Sequence, residues 1–472
     1  MDDLMRRSVT EQARLVRAGD VSAQELVDAG IAAVEKRNPP LNAVVLTMFD
    51  RAREAAKVLT GDEPFAGVPI LLKDVLAEHE GWPLTEGSRF LEGYVSARDS
   101  TLVSRYRSAG FVPIGRTNSP EFASKPTTEP ELYGPTRNPW DLTRSAGGSS
   151  GGSGAAVAAG IVAVAHANDG GGSTRIPASA CGLVGLKPTR GRNPLGPDYG
   201  DIGAAGLLCE HVVTRTVLDN ALLLDVTAGP DPGAPYFPPP PKRPFADEVG
   251  ADPGELRIAY SSSPITPTEV HPDCRRAVEE TAKLCEELGH RVEEAKPDAN
   301  GENFGEFFTT VWLGMVAWMI RDWSRRTGRK PEPAFFEAHT WKMFELDSRT
   351  HPSDLLLAIH DMQLFSREVA PFFDRYDVWL TPTMTQPPVP LGYFDFDPKA
   401  PRQSTQRMEA IPRFSAVANV TGQPAISLPL HWNEEGLPVG IQLMGRYADE
   451  ATLLRLSAQL EEARPWAHRW PA

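Results

Sequence analysis

This sequence predicts an α/β layered fold in one large domain, and three observations support that. Short apolar, β-like runs alternate with amphipathic helical stretches from residue 8 onward. The 472 residues are 41% hydrophobic and 23% charged, an ordinary globular balance rather than that of a disordered chain. Strong strand signals return near the end, at 377–383, 424–430 and 437–445. Length alone would allow two or three domains. No repeat of fixed period is found, and the pattern favours one domain with an elaborated middle.

The elements follow in order. Residues 8–36 are helical and amphipathic, with apolar Leu15, Val16, Leu26, Val27, Ile31 and Val34. Within them Ser22 followed by Glu25 fits a capping box at a helix start. NAVVLTMF (42–49) and GVPILLKDV (67–75) are short β-like runs bounded by turn residues. TLVSRYRSAG (101–110) is a helix closed by Gly110, and FVPIGRTN returns to a strand. AAVAAGIVAVAHAND reads as a packed helix followed by a buried strand, and 216–229 as an apolar helix with a glycine stop. Pro238–Pro241 marks a surface connection in extended geometry.

LRIAYSSS (256–263) is strand-like and 273–289 a helix ending at Gly289. Residues from about 265 to 375 form a helical elaboration, in which 300–370 lacks clean periodicity. Trp312, Trp318, Trp323 and Trp341 fall there; core packing is their expected role, and lining a pocket the sharper alternative. Residues 449–464 make a closing helix.

Composition excludes several classes. A net charge of −14 argues against broad phosphate-driven binding to nucleic acid. The N-terminal stretch has no signal-peptide core, and no segment approaches the apolar length of a membrane span. The four cysteines (181, 209, 274 and 285) form no CxxC pair and have no zinc-like spacing, so neither metal nor cofactor is expected. They read as buried small hydrophobes of a protein from a reducing cytoplasm, with no partner beyond a small-molecule substrate and, in oligomeric form, a homodimer.

The chemistry is concentrated around SAGGSSGGSGAAVAAG (145–160). A linker would not run directly into a helix inside strongly apolar elements. A phosphate loop would need a lysine that this stretch lacks. GGSSG (147–151) and GSSGG (148–152) both satisfy G-x-S-x-G, but such a match is cheap in a Gly/Ser-rich segment, and His211, His271 and His431 stand in no compelling context.

A more specific constellation joins three segments. Lys73 is embedded in the apolar run GVPILLKDV, where burial would lower its pKa towards that of a base. Ser149 lies in the Gly/Ser stretch. Ser173 follows three glycines in NDGGGSTRIPASACGLVGLKPTRGR (168–192), and glycines let backbone amides approach a carbonyl closely. Together they suggest acyl transfer without histidine.

At GGSSGGSGAAVA and DGGGSTRIPA (the pattern DxGGSxRxPA) the chain resembles the amidase signature family of serine hydrolases, and the likeness runs over nearly the whole sequence, including FSAVANVTGQPAISLPLHWNEEGLPVGIQLMG. The two catalytic segments are most similar to the branch acting on 6-aminohexanoate oligoamides, with urethanase-type amidases as neighbours. The resemblance implies a mixed central β-sheet covered by helices on both faces, with core segments 60–230 and 375–472. It also implies a Ser–cis-Ser–Lys triad: Ser173 as nucleophile, Ser149 as bridge and Lys73 as base. Gly170, Gly171, Gly172 and Ser173 would supply oxyanion-hole amides, with Ser150, Asp169 and Arg175 in support. Tyr133 is a candidate substrate contact.

Several readings compete at single residues. Ser149 and Ser173 could be mere helix-capping hydroxyls, Lys73 an exposed strand-end lysine, and Arg175 only an ion-pair partner. Cys181 reads as buried rather than nucleophilic. Relatives often carry a larger residue where Gly170 stands, so a roomier pocket is expected. The segment GLLCEHVVTRTVLD (206–219) lacks a Gly-Pro common in the family. The expected activity is hydrolysis of small or oligomeric amides, extending to carbamates. An amidotransferase subunit that passes ammonia within a tRNA-linked complex is the alternative, disfavoured by NDGGGSTRIPA in place of TDTGGSIRQPA. A catalytically dead binding protein is the third reading.

Overall fold

Strand β2 (Pro69–Lys73) shows how the molecule is layered. All five of its residues are buried. Ile70 and Leu72 join an apolar cluster with Leu26 and Val103, while Leu71 points the other way, to Ile31 and Val157. A strand apolar on both faces must lie between two layers of helix. The computed structural model describes residues 4–200, 205–395 and 399–471.

Around β2 the other strands are β1 (Val44–Thr47), β3 (Val112–Thr117), β4 (Arg137–Asn138), β5 (Asp141–Ser145), β6 (Val164–Asp169) and β7 (Val184–Lys187). They are followed by β8 (Cys209–Thr214), β9 (Arg257–Tyr260), β10 (Arg291–Glu294), β11 (Val378–Pro382), β12 (Ala425–Trp432) and β13 (Pro438–Gly445). Eleven of these form one sheet in the order β1-β3-β2-β6-β8-β7-β12-β13-β11-β9-β10, and β4 and β5 pair separately. The sheet is mixed. β2 runs parallel to β3 and β6, and β9 parallel to β10 and β11, whereas β7, β12 and β13 are joined by antiparallel ladders. The result is the single α/β domain expected, with early and late segments of the chain meeting at the β7–β12 pair.

The N-terminal helical stretch divides into Val9–Ala18 and Ala23–Arg37, split at Gly19 in the left-handed region. Ser22 and Glu25 form the expected capping box. The middle is more regular than its sequence pattern suggested: Phe304–Thr327, Ala338–Asp347 and Pro352–Val369 are helices. The first is apolar on several sides, so no single-face period survives in the sequence. Edge strand β10 is largely exposed and polar, which hides it from an alternation search. All four cysteines are buried and unpaired. No helix among the described residues is long and apolar enough to cross a membrane.

Candidate active site

Neighbouring strands converge on one buried lysine. Lys73 ends β2, and β6 lies beside it in parallel. Two residues apart on β6, His166 and Asn168 share a face, as a period of two requires. Both meet Lys73: its backbone N–H donates to His166 Nδ1 at 3.3 Å, and its Nζ donates to Asn168 Oδ1 at 2.6 Å. The imidazole's other nitrogen, Nε2, is 3.1 Å from Glu210 Oε1 on β8. Asn168 Nδ2 donates to the Val75 carbonyl at 3.4 Å, which turns its oxygen towards the lysine.

Ser149 supplies the remaining partner of the amine, with Lys73 Nζ and Ser149 Oγ 2.7 Å apart. The peptide bond Gly148–Ser149 is cis. Gly148 permits this close packing: a Cβ there would lie 2.4 Å from the Thr127 amide nitrogen. Ser149 and Lys73 are both inaccessible to solvent. Burial, the largest influence, lowers the Lys73 pKa from 10.5 to about 7, and the carboxylates of Glu86, Asp169 and Glu210 oppose it. An amine of this kind is poised to exchange a proton near neutrality, and the exposed-lysine alternative is excluded.

Ser173 sits at the turn between β6 and the helix Arg175–Cys181, 8% exposed and facing the same cavity as Ser149. No direct hydrogen bond joins the two hydroxyls among the described residues. Ser150 ties the two loops together, its N–H donating to the Ser173 carbonyl and its Oγ to the Asn168 carbonyl, each at 3.3 Å.

Asp169 braces the turn from behind. Its carboxylate accepts the Gly172 N–H at 2.7 Å and the Thr174 N–H at 3.2 Å. It also takes a two-pronged contact from Arg175, whose Nε and Nη2 lie 2.9 and 2.8 Å from its two oxygens. Burial would raise this carboxyl, but the Arg175 charge and hydrogen bonds, with Asn419, hold its pKa at about 2. Arg175 further donates to the Ser415 carbonyl, Gln442 Oε1 and Asn419 Oδ1. It is therefore an ion-pair and scaffold residue that ties the turn to the C-terminal segment.

The Gly172 amide, expected in the oxyanion hole, is committed to Asp169 instead. The amides of Gly170, Gly171 and Ser173 donate to no group among the described residues, which leaves them as the donors available to an oxyanion. Tyr133 does not line the cavity. Its hydroxyl lies 3.2 Å from Thr85 Oγ1, and its backbone carbonyl accepts from Asn42, so it serves the loop packing beside the site. Cys181 is fully buried, and desolvation raises its thiol pKa. His211 is buried against Asn220 and its pKa falls to about 4, while neither Ser149 nor Ser173 has a histidine partner among the described residues. The nucleophile-elbow alternative has no histidine base among the described residues.

Helix Phe304–Thr327 closes the cavity with Trp312, Met315, Trp318 and Met319, opposite Leu76, Phe122 and Leu208. Two of the four middle tryptophans are thus pocket residues. Trp323 packs on Tyr94 and Trp341 on Phe336, as core aromatics do. The roomier pocket expected from Gly170 is not found, because Trp312 fills that space: a Cβ at 170 would meet Trp312 Cζ3 at 3.3 Å. No charged side chain lines the cavity among the described residues. Asn168, Asn419, Gln442 and Ser415 were not singled out from sequence. Only Asn168 left a signal there, as a polar residue two positions from His166 on a strand that is otherwise apolar up to Asp169.

Comparison with known proteins places the chain in a family. The Amidase family model matches residues 25–454. The 6-aminohexanoate-cyclic-dimer hydrolase of Paenarthrobacter ureafaciens is 38% identical over 98% of this chain and 96% of its own, and that of Pseudomonas sp. strain NK87 is 39% identical with the same coverage. A solved structure of 6-aminohexanoate cyclic dimer hydrolase complexed with substrate superposes with a TM-score of 0.95 over 99% of both chains, at 38% identity. A glutamyl-tRNA(Gln) amidotransferase subunit from Thermotoga maritima is more distant, at 29% identity and a TM-score of 0.79 over 98% of this chain and 96% of that one. With its matched length, its relatives and its fold in agreement, this chain belongs to the amidase signature family of hydrolases that act on amide C–N bonds.

Proposed function

We propose that the chain hydrolyses small or oligomeric carboxylic amides, and carbamates, through an acyl-enzyme on Ser173. The observation that carries this is the buried Lys73–Ser149 contact of 2.7 Å, made by an amine whose pKa lies at about 7. Asn168 Oδ1 can only accept, so it binds one N–H of neutral Lys73 and leaves the lone pair for the Ser149 proton. As Ser173 turns onto Ser149 and attacks the carbonyl, its proton passes to Ser149 and the Ser149 proton to Lys73. The amides of Gly170, Gly171 and Ser173 receive the oxyanion. The proton then returns through Ser149 to the departing amine, and water repeats the sequence to release the acid.

The relatives named for a cyclic 6-aminohexanoate dimer favour oligoamides of that type among the substrates. The amidotransferase alternative draws support only from more distant relatives. The test is amine release by the purified chain from a panel of aryl amides, cyclic and linear 6-aminohexanoate oligoamides, and carbamates. Mass spectrometry of the quenched reaction should find the acyl group on Ser173, and Ser173→Ala should remove both acyl group and activity. Full turnover by Ser173→Ala would overturn the assignment.

A further inference from the structure

Three aromatic rings run along the helix Phe304–Thr327 at a spacing of four residues. Phe304 and Phe308 stack with centroids 5.8 Å apart and planes 10° from parallel, and Phe308 and Trp312 at 5.6 Å and 18°. Residues four apart lie above one another on a helix, so the three form a column. Its far end is fixed, since Phe304 is buried and meets Phe365 edge-on at 5.1 Å. Its near end presses on the turn that precedes Ser173. A Cβ at Gly170 would stand 3.3 and 3.5 Å from Trp312 Cζ3 and Cη2, and one at Gly171 would stand 3.2 Å from Phe308 Cζ. Neither glycine has φ in the left-handed region, so what these positions lack is space.

We propose that Trp312, seated against Gly170, is the specificity-determining wall of the site, admitting a straight chain beside the scissile carbonyl and rejecting one branched at the adjoining carbon. The inference rests on the amide-hydrolysis reading above. A carbonyl oxygen held by the amides of residues 170, 171 and 173 brings the adjoining carbon within contact of residue 170. Gly170 offers only hydrogen there, and the indole closes the space behind it. Ring and glycine are complementary: a larger residue at 170 and an indole at 312 cannot occupy the same volume. The steric limit is therefore set from the middle helix, and it can be changed without altering the amides that hold the oxyanion.

The experiment compares kcat/KM for the 4-nitroanilides of hexanoic and 2-methylhexanoic acid. A ratio of two substrates on one preparation cancels differences in the folded fraction. The wild type should favour the straight substrate. Trp312→Ala should raise the branched-to-straight ratio by about tenfold or more, the discrimination a single methyl group gives in an apolar pocket. Trp312→Phe, which preserves the column, should shift the ratio in the same direction by less. Adding Gly170→Val to Trp312→Ala should restore the wild-type preference, whereas Gly170→Val alone should depress both substrates through collision with the ring. The proposal is overturned if Trp312→Ala and Trp312→Phe hydrolyse the straight anilide with the wild-type ratio. It is equally overturned if Gly170→Val is as damaging when combined with Trp312→Ala as it is beside the native ring. A wild type inactive on every amide would instead reject the reading on which the inference rests.

Discussion

Replacing Lys73 with methionine should abolish amide hydrolysis and remove the rise of stability with pH that the buried amine causes. Burial holds the native amine at about pKa 7, whereas the unfolded chain keeps this lysine protonated up to about pH 10.4. Between those values the unfolded state binds the extra proton, so stability rises with pH across that window. Below it, the lysine imposes a constant penalty. At pH 7 the penalty is about 4 kcal/mol. Methionine removes it but strips Asn168 Oδ1 and Ser149 of their hydrogen bonds to the amine, and a buried group left unpaired costs about 1–3 kcal/mol. With both groups left unpaired, at about 2–6 kcal/mol together, the net change at pH 7 lies within about 2 kcal/mol of zero, and the pH dependence carries the test. Denaturant unfolding at intervals from pH 6 to 10 provides the assay. Glu86, whose pKa burial raises to about 8, is present in both proteins, so its contribution largely cancels in the difference. The wild type should climb relative to Lys73→Met as pH increases above 7, and its kcat/KM should fall as pH drops below 7. Parallel stability curves across that range would mean that native Lys73 is charged, and the base mechanism would be wrong.

Two further perturbations probe the turn around Ser173. Arg175→Met strips the buried Asp169 carboxylate of its cation, and breaking a buried pair in this way costs about 3–5 kcal/mol, read as a fall in the denaturation midpoint with loss of activity. Arg175→Lys should recover only part of either, because an ammonium cannot make the two-pronged contact. Gly172→Ala forces a side chain onto a residue with φ 135°, where its Cβ would stand 2.3 Å from Ser415 Oγ. Displacement of the adjoining nucleophile should lower kcat by about a hundredfold; near-normal kcat would show that the Ser173 position does not depend on this glycine.

The sheet was legible wherever a strand is apolar on at least one face, as at 69–73, 378–382 and 425–432. It was illegible at 291–294, where an exposed polar edge leaves no alternation to find. The long helix from Phe304 escaped because its residues serve three environments at once: the core at Phe307, the pocket at Trp312 and Met315, and the Glu78–Arg326 contact near its end. Lys73, Ser149 and Ser173 could be named because glycine-rich segments and a lysine among apolar residues are rare patterns. The commitment of the Gly172 amide to Asp169 could not be read, since all three glycines look alike until the turn is folded. The occupant of the space beside Gly170 comes from a helix more than a hundred residues away, beyond any local pattern.

The same limit applies to charge. Lys73, Arg175 and Lys187 are all completely buried, and each stands in or beside an apolar run, so position in the sequence does not separate their roles. Their partners do. Arg175 faces a carboxylate at 2.8 Å and spreads its remaining donors over neutral oxygens, so it serves as scaffold. Lys187 donates to the Pro188 carbonyl at 2.7 Å and lies 3.8 Å from the Cys209 thiol; burial lowers its pKa, but neither serine of the cavity is its partner. Lys73 alone of the three combines burial with a hydroxyl facing the cavity, and its carboxylate neighbours act through space without an ion pair among the described residues. An ion pair at Lys73 would have fixed the amine as a cation, whereas partners as polar as Ser149 and Asn168 but uncharged allow it to exist in either state. The proton relay therefore depends as much on the absence of a carboxylate contact at Lys73 as on the serines that flank it.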